Sequence, residues 1–198
     1  LSTTITKENR KSYLAALDFD NISEIDYQKT ILIEGMHIFK KIFGYESKTF
    51  IAPNYIWHAS LENTLAEGGV STIQGSFKQI SPSGNNHKSK QISHRMGEIN
   101  NLKQIYLTRN AVFEPSLINS HDPVADCIKD IETAFRWRKP AIISSHRLNY
   151  IGSIVKENRD NNLKLLSKLL EQISNKYKNV EFMNTNALGA IINSEIVE

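Results

Sequence analysis

The chain has 198 residues, 40% of them hydrophobic and 23% charged, which is the composition of a globular protein long enough to form a hydrophobic core. Its formal charge of +3 is mildly basic, but lysine and arginine are interspersed with aspartate and glutamate, which argues against a nucleic-acid-binding surface. No apolar run reaches the roughly 18 residues of a membrane span, and the only cysteine, Cys127, excludes an internal disulfide.

The segment after Leu1 reads STTITKENRKS and contains neither an initiator methionine nor the apolar core of a signal peptide. We therefore expect the sequence to begin inside a longer polypeptide, so that any export signal would precede it. With a free thiol and no disulfide, the default expectation is a cytoplasmic protein. The sequence predicts no oligomeric state.

Two helices and two strands are predicted in the first part of the chain. Residues 23–43 have an approximately helical apolar period and stop at Gly44. Residues 59–67 form a shorter helix with leucines on one face. The apolar runs KTFIAP and GVSTIQG, at 48–53 and 69–75, have the length of buried strands.

Residues 76–98 are polar and contain proline and glycine, so they are interpreted as a long irregular excursion. His87 and His94 lie in this stretch, and both are expected to be solvated.

The second part of the chain continues the alternation of strand and helix. A third strand is predicted at 102–110 and a fourth at 140–146, with a helix between them that begins at Asp122 and Pro123. A further helix covers 158–177. The segment VEFMNTNALGAII then predicts a last short strand and a closing helix capped by Asn184 or Thr185.

Short apolar strands that alternate with amphipathic helices indicate a parallel sheet covered by helices, and hence the α/β class. About five such repeats are visible, whereas a complete (β/α)8 barrel needs about 250 residues. The prediction is therefore a single domain over 1–198, an incomplete or distorted (β/α) barrel that lacks its first strands, with a smaller open sheet as the alternative.

Polar side chains gather where the predicted strands end. In a parallel sheet the carboxyl ends of the strands form one rim, where ligands bind. We therefore expect a single pocket there. Its candidate residues are Asn54, Trp57, Gln74, Arg109, Asn110, Glu114, His146, Arg147 and Asn149.

Four of these residues also have a purely structural interpretation. Asn54 follows a proline and suits a turn. Trp57 is either a core aromatic or a flat surface for a sugar ring. Arg109 could form an ion pair with Glu114, and His146 could be a satisfied histidine at a strand end.

The sequence predicts no metal site. No two of the six histidines are three to five residues apart, and Asp18 and Asp20 have no histidines nearby to complete a set of ligands. There is no GxSxG elbow, glycine-rich phosphate loop or CxxC pair. A divalent metal cofactor is expected only if its ligands precede Leu1.

Four segments resemble bacterial proteins grouped with the polysaccharide deacetylases, within the glycoside hydrolase/deacetylase superfamily. They are SKTFIAPNYIW, RNAVFEPS, DIETAFRWRKPAIISSHRLNYIGS and NNLKLLSKLLEQI with VEFMNTNALGAII. The resemblance covers roughly residues 11–193 and implies a distorted (β/α) barrel. It makes IISSH the counterpart of the family's LxH motif and His146 the counterpart of its general acid. The family's aspartate and HxxxH motifs, which hold its metal, have no match.

Two functions follow as hypotheses. The first is a polysaccharide deacetylase-like hydrolase of a bacterial glycan, in which His146 is the general acid and Glu114 and neighbouring polar residues tune it or position substrate. The second is a glycan-binding or scaffold protein that has kept the barrel without the chemistry.

Overall fold

The computed structural model describes residues 15–84, 88–117 and 122–196. They fall into two compact units, one of Leu1–Thr108 with Asn184–Glu198 and one of Arg109–Met183. In chain order the elements are α1 (Glu24–Phe43), β1 (Thr49–Phe50), α2 (Leu61–Glu67), β2 (Thr72–Gly75), β3 (Lys78–Ser81), β4 (Lys90–Ser93), β5 (Glu98–Ile99), β6 (Ile105–Thr108), β7 (Ala111–Val112), α3 (Pro123–Arg136), β8 (Ile143–Ser144), α4 (Lys156–Lys176) and α5 (Thr185–Ile196).

The first unit is built on a four-stranded sheet in the order β1-β2-β6-β5. The strands β1, β2 and β6 are parallel, and β5 is antiparallel to β6. Helices with parallel strands confirm the predicted α/β class. This sheet is open, and no closed barrel is present among the described residues.

The core of this unit forms where the strands meet the helix α2 and the segment before α1. Leu61 and Leu65 on α2 are fully buried, as their helical spacing predicts. The other buried members of the cluster come from several elements, so the core depends on contacts between segments far apart in the sequence. The cluster contains Leu17, Phe19, Ile25, Ala52, Trp57, Leu61, Ile73 and Tyr106.

Helix α1 has the predicted bounds but not the predicted burial. It ends at Gly44, whose φ of 78° is the left-handed conformation that favours glycine at a helix stop. Of its apolar residues only Ile25 is buried, whereas Ile31 and Ile42 are exposed. The helix is apolar on more than one side, and only one side packs on the unit. No helix in the described ranges is long and apolar enough to cross a membrane.

The prediction of an irregular excursion at 76–98 is wrong. The identical sequences KQIS at 78–81 and 90–93 pair as the antiparallel strands β3 and β4, with Lys78 opposite Ser93. Polar residues can form strands because the ladder is held by backbone hydrogen bonds. His94 is buried, not solvated, and His87 lies outside the described residues.

In the second unit, α3 packs against both β7 and α4, and β7 forms a short parallel pair with β8. Helix α3 starts as predicted, with Asp122 Oδ1 accepting from the backbone N–H of Val124 and Ala125 at 3.1 and 3.0 Å. Cys127 faces the core, and burial raises the pKa of its thiol to about 12, so the thiol stays protonated and unreactive. The hydrophobic core cluster of this unit contains Ala111, Phe113, Val124, Cys127, Ile131, Leu169 and Ile173.

The last predicted strand does not form, but the closing helix does. Residues 180–183 have no strand partner, and Phe182 is 58% exposed. Helix α5 follows as predicted, and Asn184 caps it, since its Oδ1 accepts from the N–H of Ala187 at 2.9 Å. Without a strand partner, this apolar run gains no ladder hydrogen bonds.

Helix α5 packs closely on β2 at Gly189, and this contact gives a test of the fold. A Cβ atom at Gly189 would lie 2.5 Å from Oγ1 of the buried Thr72, whereas one at Gly35 in α1 would meet nothing within 4 Å. We expect Gly189→Ala to lower the free energy of unfolding by about 1–3 kcal/mol through overpacking. Gly35→Ala should raise it by up to about 1 kcal/mol through helix propensity. Equal effects in urea denaturation would contradict this packing.

Candidate functional site

The register of β7 and β8 brings two polar side chains together in the second unit. Ala111 pairs with Ile143 and Val112 with Ser144 in parallel, and the Phe113 N–H continues the ladder to the carbonyl of Ser144 at 2.9 Å. Extending this register two steps beyond Val112 and Ser144 places Glu114 beside His146. Partners in a parallel register project their side chains to the same face of the sheet.

Glu114 and His146 form a short polar contact at this site. Nδ1 of His146 lies 2.6 Å from Oε1 of Glu114. The side chain of Glu114 is 6% exposed, whereas that of His146 is 59% exposed. The buried carboxylate therefore accepts from Nδ1–H and leaves Nε2 at the surface, where it can take up or release a proton.

Asn149 holds the second oxygen of the carboxylate. Its Nδ2 donates to Oε2 of Glu114 at 2.7 Å and to the carbonyl of His146 at 2.9 Å. Its Oδ1 accepts from the N–H of Ser116 at 3.0 Å. Asn149 is completely buried, so it fixes the rotation of the Glu114 carboxylate and the turn that carries His146.

Two asparagines one turn apart on helix α4, Asn158 and Asn162, support this arrangement. Nδ2 of Asn162 donates to the carbonyl of Asn149 at 2.9 Å and to Oγ of Ser116 at 2.6 Å. Ser116 Oγ donates in turn to Oδ1 of Asn158 at 2.6 Å. These bonds connect the segments after β7 and β8 to α4, so the Glu114–His146 pair rests on a connected polar network.

Tyr150 completes the turn that follows His146. Its hydroxyl lies 2.7 Å from Oγ of Ser145. Burial is the largest cause that raises the pKa of the Tyr150 phenol, while the hydrogen bond with Ser145 opposes it. The phenol therefore stays protonated at neutral pH and serves as a hydrogen-bonding group.

Two predicted ligand-binding residues of this unit have structural roles instead. Nδ2 of Asn110 donates to the carbonyl of Pro140 at 3.0 Å, and its Oδ1 accepts from the N–H of Ile142 at 2.7 Å. Asn149 is buried under Glu114. The nitrogen and the oxygen of each amide are bonded within the unit, and Asn149 is completely buried, which favours a structural role for both residues. Arg147 is exposed beside His146, and Arg109 is half-buried between β6 and β7.

Asn54, Trp57 and Gln74 belong to the first unit. Asn54 is exposed in a turn with a φ of 51°, a conformation that asparagine tolerates, which favours its interpretation as a turn residue. Trp57 is 1% exposed, and its ring stacks on His94, so the predicted stacking of this indole on a sugar is wrong. Gln74 is buried within β2.

The first unit contains a buried polar cluster that the sequence did not indicate. The carboxylate of Glu62 accepts from Trp57 Nε1 and from the Tyr106 hydroxyl, each at 2.9 Å. His94 lies flat against Tyr106, with ring centroids 3.7 Å apart. His94 Nε2 is 2.7 Å from Oε1 of Gln79, whose amide donates to the carbonyl of Trp57. These residues all interact inside the core, so the cluster is structural.

The described residues do not fit the metal that the deacetylase resemblance implies. No group of three or more histidine, cysteine, aspartate or glutamate side chains within the described ranges could hold an ion. Nδ1 of His146 is bonded to Glu114, so His146 could offer only one nitrogen to a metal, and a zinc site needs at least three protein ligands. We therefore derive no step of the chemistry through a metal.

The buried His94 predicts an acid-dependent loss of stability. Burial is the main cause that lowers the pKa of His94, while the nearby Glu98 and Glu62 oppose it. The unfolded chain then binds more protons than the folded one below the unfolded pKa of about 6.5. We expect the free energy of unfolding to be highest above about pH 6.5 and to fall as the pH decreases toward the lowered pKa, by at most about 1.4 kcal/mol per pH unit for this residue.

The matched variants are His94→Gln and His58→Gln, because the pKa of His58 is also lowered, chiefly by burial. Urea denaturation between about pH 7.5 and 5.5 should show a shallower pH dependence for His94→Gln than for wild type. His58→Gln should retain the part of the pH dependence of the free energy of unfolding that His94 causes. An unchanged slope in His94→Gln would refute this assignment.

The support from α4 can be tested with neighbouring asparagines. Asn162 is buried and bonded to Asn149 and Ser116, whereas Asn161 is exposed on the same helix. We expect Asn162→Ala to lower the free energy of unfolding by about 1–3 kcal/mol, because it leaves buried partners unsatisfied. Asn161→Ala should change it by less than about 0.5 kcal/mol. If Asn162→Ala and Asn161→Ala lower the free energy of unfolding equally, in thermal or urea unfolding, the hydrogen bonds of Asn162 do not stabilise the fold.

The chain was also compared with protein-family models, curated proteins and solved structures, and none of these comparisons found a significant match.

Proposed function

We propose that the chain is part of a polysaccharide deacetylase-like hydrolase that acts on an acylated amino sugar of a bacterial glycan. In this proposal the α/β units belong to an incomplete or distorted (β/α) barrel. The observation that carries the proposal is the 2.6 Å contact between the exposed imidazole of His146 and the buried carboxylate of Glu114. A cytoplasmic location remains a prediction.

The geometry supports proton transfer at Nε2 of His146. Because Glu114 accepts from Nδ1–H, the neutral ring presents a lone pair at Nε2, and the protonated ring presents an N–H there. Glu114 also balances the positive charge of the protonated ring. An orienting carboxylate of this kind is a recurrent partner of acid–base histidines.

The proposed reaction is the hydrolysis of an amide. Water adds to the acyl carbon and loses one proton to the solvent, the C–N bond breaks, and the proton on Nε2 of His146 passes to the nitrogen of the leaving amine. The ring then regains a proton from the solvent. The products are a free amino sugar and a carboxylic acid. Glu114 acts on His146 and not on the substrate, which makes it a positioning residue.

Cleavage of a glycosidic bond is less well supported by the same geometry. That reaction uses two carboxyl groups on opposite sides of the scissile bond. Glu114 is the carboxylate of this site, and both of its oxygens are engaged, by His146 and Asn149.

The experiment is an acetate-release assay on N-acetylated oligosaccharides with wild type, His146→Gln and Glu114→Gln. We expect His146→Gln to lower kcat by about 10²–10⁴-fold, since it removes the proton donor. Glu114→Gln should lower it by about 10–100-fold, since it keeps an acceptor but removes the charge. His37→Gln, which changes an exposed histidine of α1, is the control and should match wild type.

Undiminished hydrolysis by His146→Gln would reject the proposed role. The glycan-binding alternative is correct if neither wild type nor any variant releases acetate, while wild type binds the oligosaccharide and His146→Gln does not. Circular dichroism and urea unfolding of each variant separate a loss of chemistry from a loss of fold.

A further inference from the structure

The strand β4 has an open outer edge. Strand β3 is bonded on both sides, by β4 and by the segment at Ile56 and Trp57, whereas β4 pairs only with β3 among the described residues. Lys90, Gln91 and Ser93 of β4 are exposed. An open edge of this kind is a template on which a further strand can pair.

The hydrogen bonds of β3 show which backbone groups of β4 point outward. Ile80 lies opposite Gln91, and its carbonyl accepts from the N–H of Trp57 at 3.1 Å, on the side away from β4. Bonded and non-bonded pairs alternate along an antiparallel ladder, and both members of a non-bonded pair turn their backbone groups outward. The N–H and C=O groups of Gln91 and Ser93 therefore point away from β3, and no described residue bonds them.

These backbone groups define the kind of partner that the edge fits. Gln91 and Ser93 offer two donors and two acceptors at the spacing of alternate residues in an extended chain. Another extended peptide presents the complementary groups at the same spacing. When a peptide adds to a sheet edge, the main-chain bonds supply affinity and the neighbouring side chains select the sequence.

The side chains along this edge are basic. Lys88, Lys90 and Arg95 are exposed, and residues 88–95 contain no aspartate or glutamate. The carboxylate of Glu98, the next acid in the sequence, accepts from the backbone N–H of Arg95 at 2.7 Å. Opposite charges on paired strands are stabilising and like charges are destabilising, so the edge favours a strand that carries carboxylates.

A second copy of the chain is a poorer partner for the same reason. If β4 paired antiparallel with the β4 of another chain, Gln91 of one opposite Ser93 of the other would use all the outward groups. This register brings Lys88 and Lys90 of one chain alongside Arg95 of the other. Lysine on an edge strand is a common feature that prevents such pairing.

We propose that β4 binds an extended acidic peptide by strand addition at its open edge. Gln91 and Ser93 supply the backbone hydrogen bonds, and Lys88, Lys90 and Arg95 supply the charge complementarity. The peptide is a segment of another protein with aspartate or glutamate at alternate positions, because Lys88 and Lys90 are themselves two residues apart. This surface belongs to the first unit, and the inference does not depend on the proposed hydrolase.

The first experiment measures the affinity of the full chain for dye-labelled peptides by fluorescence anisotropy at low salt. The probes are the acidic peptide TEVEVET, the neutral TQVQVQT and the basic TKVKVKT. We expect the acidic peptide to bind about tenfold or more tightly than the neutral one, and the basic peptide to bind more weakly than both. Added salt should reduce the difference.

Protein variants locate the binding on β4. Lys90→Glu should lower the affinity for the acidic peptide by about fivefold or more, whereas Lys41→Glu, at an exposed lysine of α1, should leave it unchanged. Gln91→Pro removes one outward N–H and should lower this affinity by about threefold or more, whereas Gln91→Ala should not. Urea unfolding should show a folded Gln91→Pro, because proline is tolerated on an edge strand where its N–H would face solvent.

A second set of probes tests strand addition without changing the protein. The acidic peptide is N-methylated either on its valines or on its glutamates. Only alternate residues of an added strand turn their N–H groups toward β4, so we expect one of the two forms to bind about tenfold or more weakly and the other to keep its affinity.

The inference is overturned if the three peptides bind equally, if the two methylated forms bind equally, or if Lys41→Glu weakens binding as much as Lys90→Glu. It is also overturned if sedimentation shows self-association that Gln91→Pro abolishes, because the edge then pairs with a second copy. If Gln91→Pro does not fold, the methylated peptides and Lys90→Glu decide the outcome.

Discussion

The hydrogen bond between Glu114 and His146 is the constraint on which the second unit depends. A buried carboxylate is tolerated only when its oxygens are bonded, and here one oxygen faces the imidazole and the other faces Asn149. Removing either partner would leave a charged oxygen unsatisfied inside the unit. The same bond sets the orientation of the exposed ring, so stability and proposed chemistry share one contact.

The two histidines that contact buried polar groups illustrate how surroundings determine a role. His94 is stacked between Trp57 and Tyr106, and its Nδ1 is buried without a hydrogen-bond partner. Burial therefore works against its charged form. His146 has the opposite arrangement, with its partner carboxylate buried and its ring largely at the surface. Of these two rings, that of His146 is the one exposed to solvent.

Local patterns in the sequence were sufficient for most of the elements. The helix at 23–43, the cap at Asp122 and the cap at Asn184 formed as predicted, because each depends on residues within a turn or two of each other. The strands β3 and β4 were missed because they are polar, and a strand is stabilised by a partner that local periodicity does not reveal. The segment at 180–183 is apolar and was predicted to be a strand, but it has no partner strand and does not form one.

The sequence by itself placed His146 at the end of a predicted strand, because strand and helix alternate with a recognisable period. It placed Glu114 beyond the strand predicted at 102–110 and did not predict the two-residue β7 that precedes this residue. Only the tertiary structure decided that their side chains meet, since this requires the parallel register of β7 with β8 across more than thirty intervening residues. Tertiary packing also decided that Trp57 and Asn149 are buried and that the amide of Asn110 is bonded to the backbone. Residue type shows what a side chain can bond, but burial and partners depend on segments that only folding brings together.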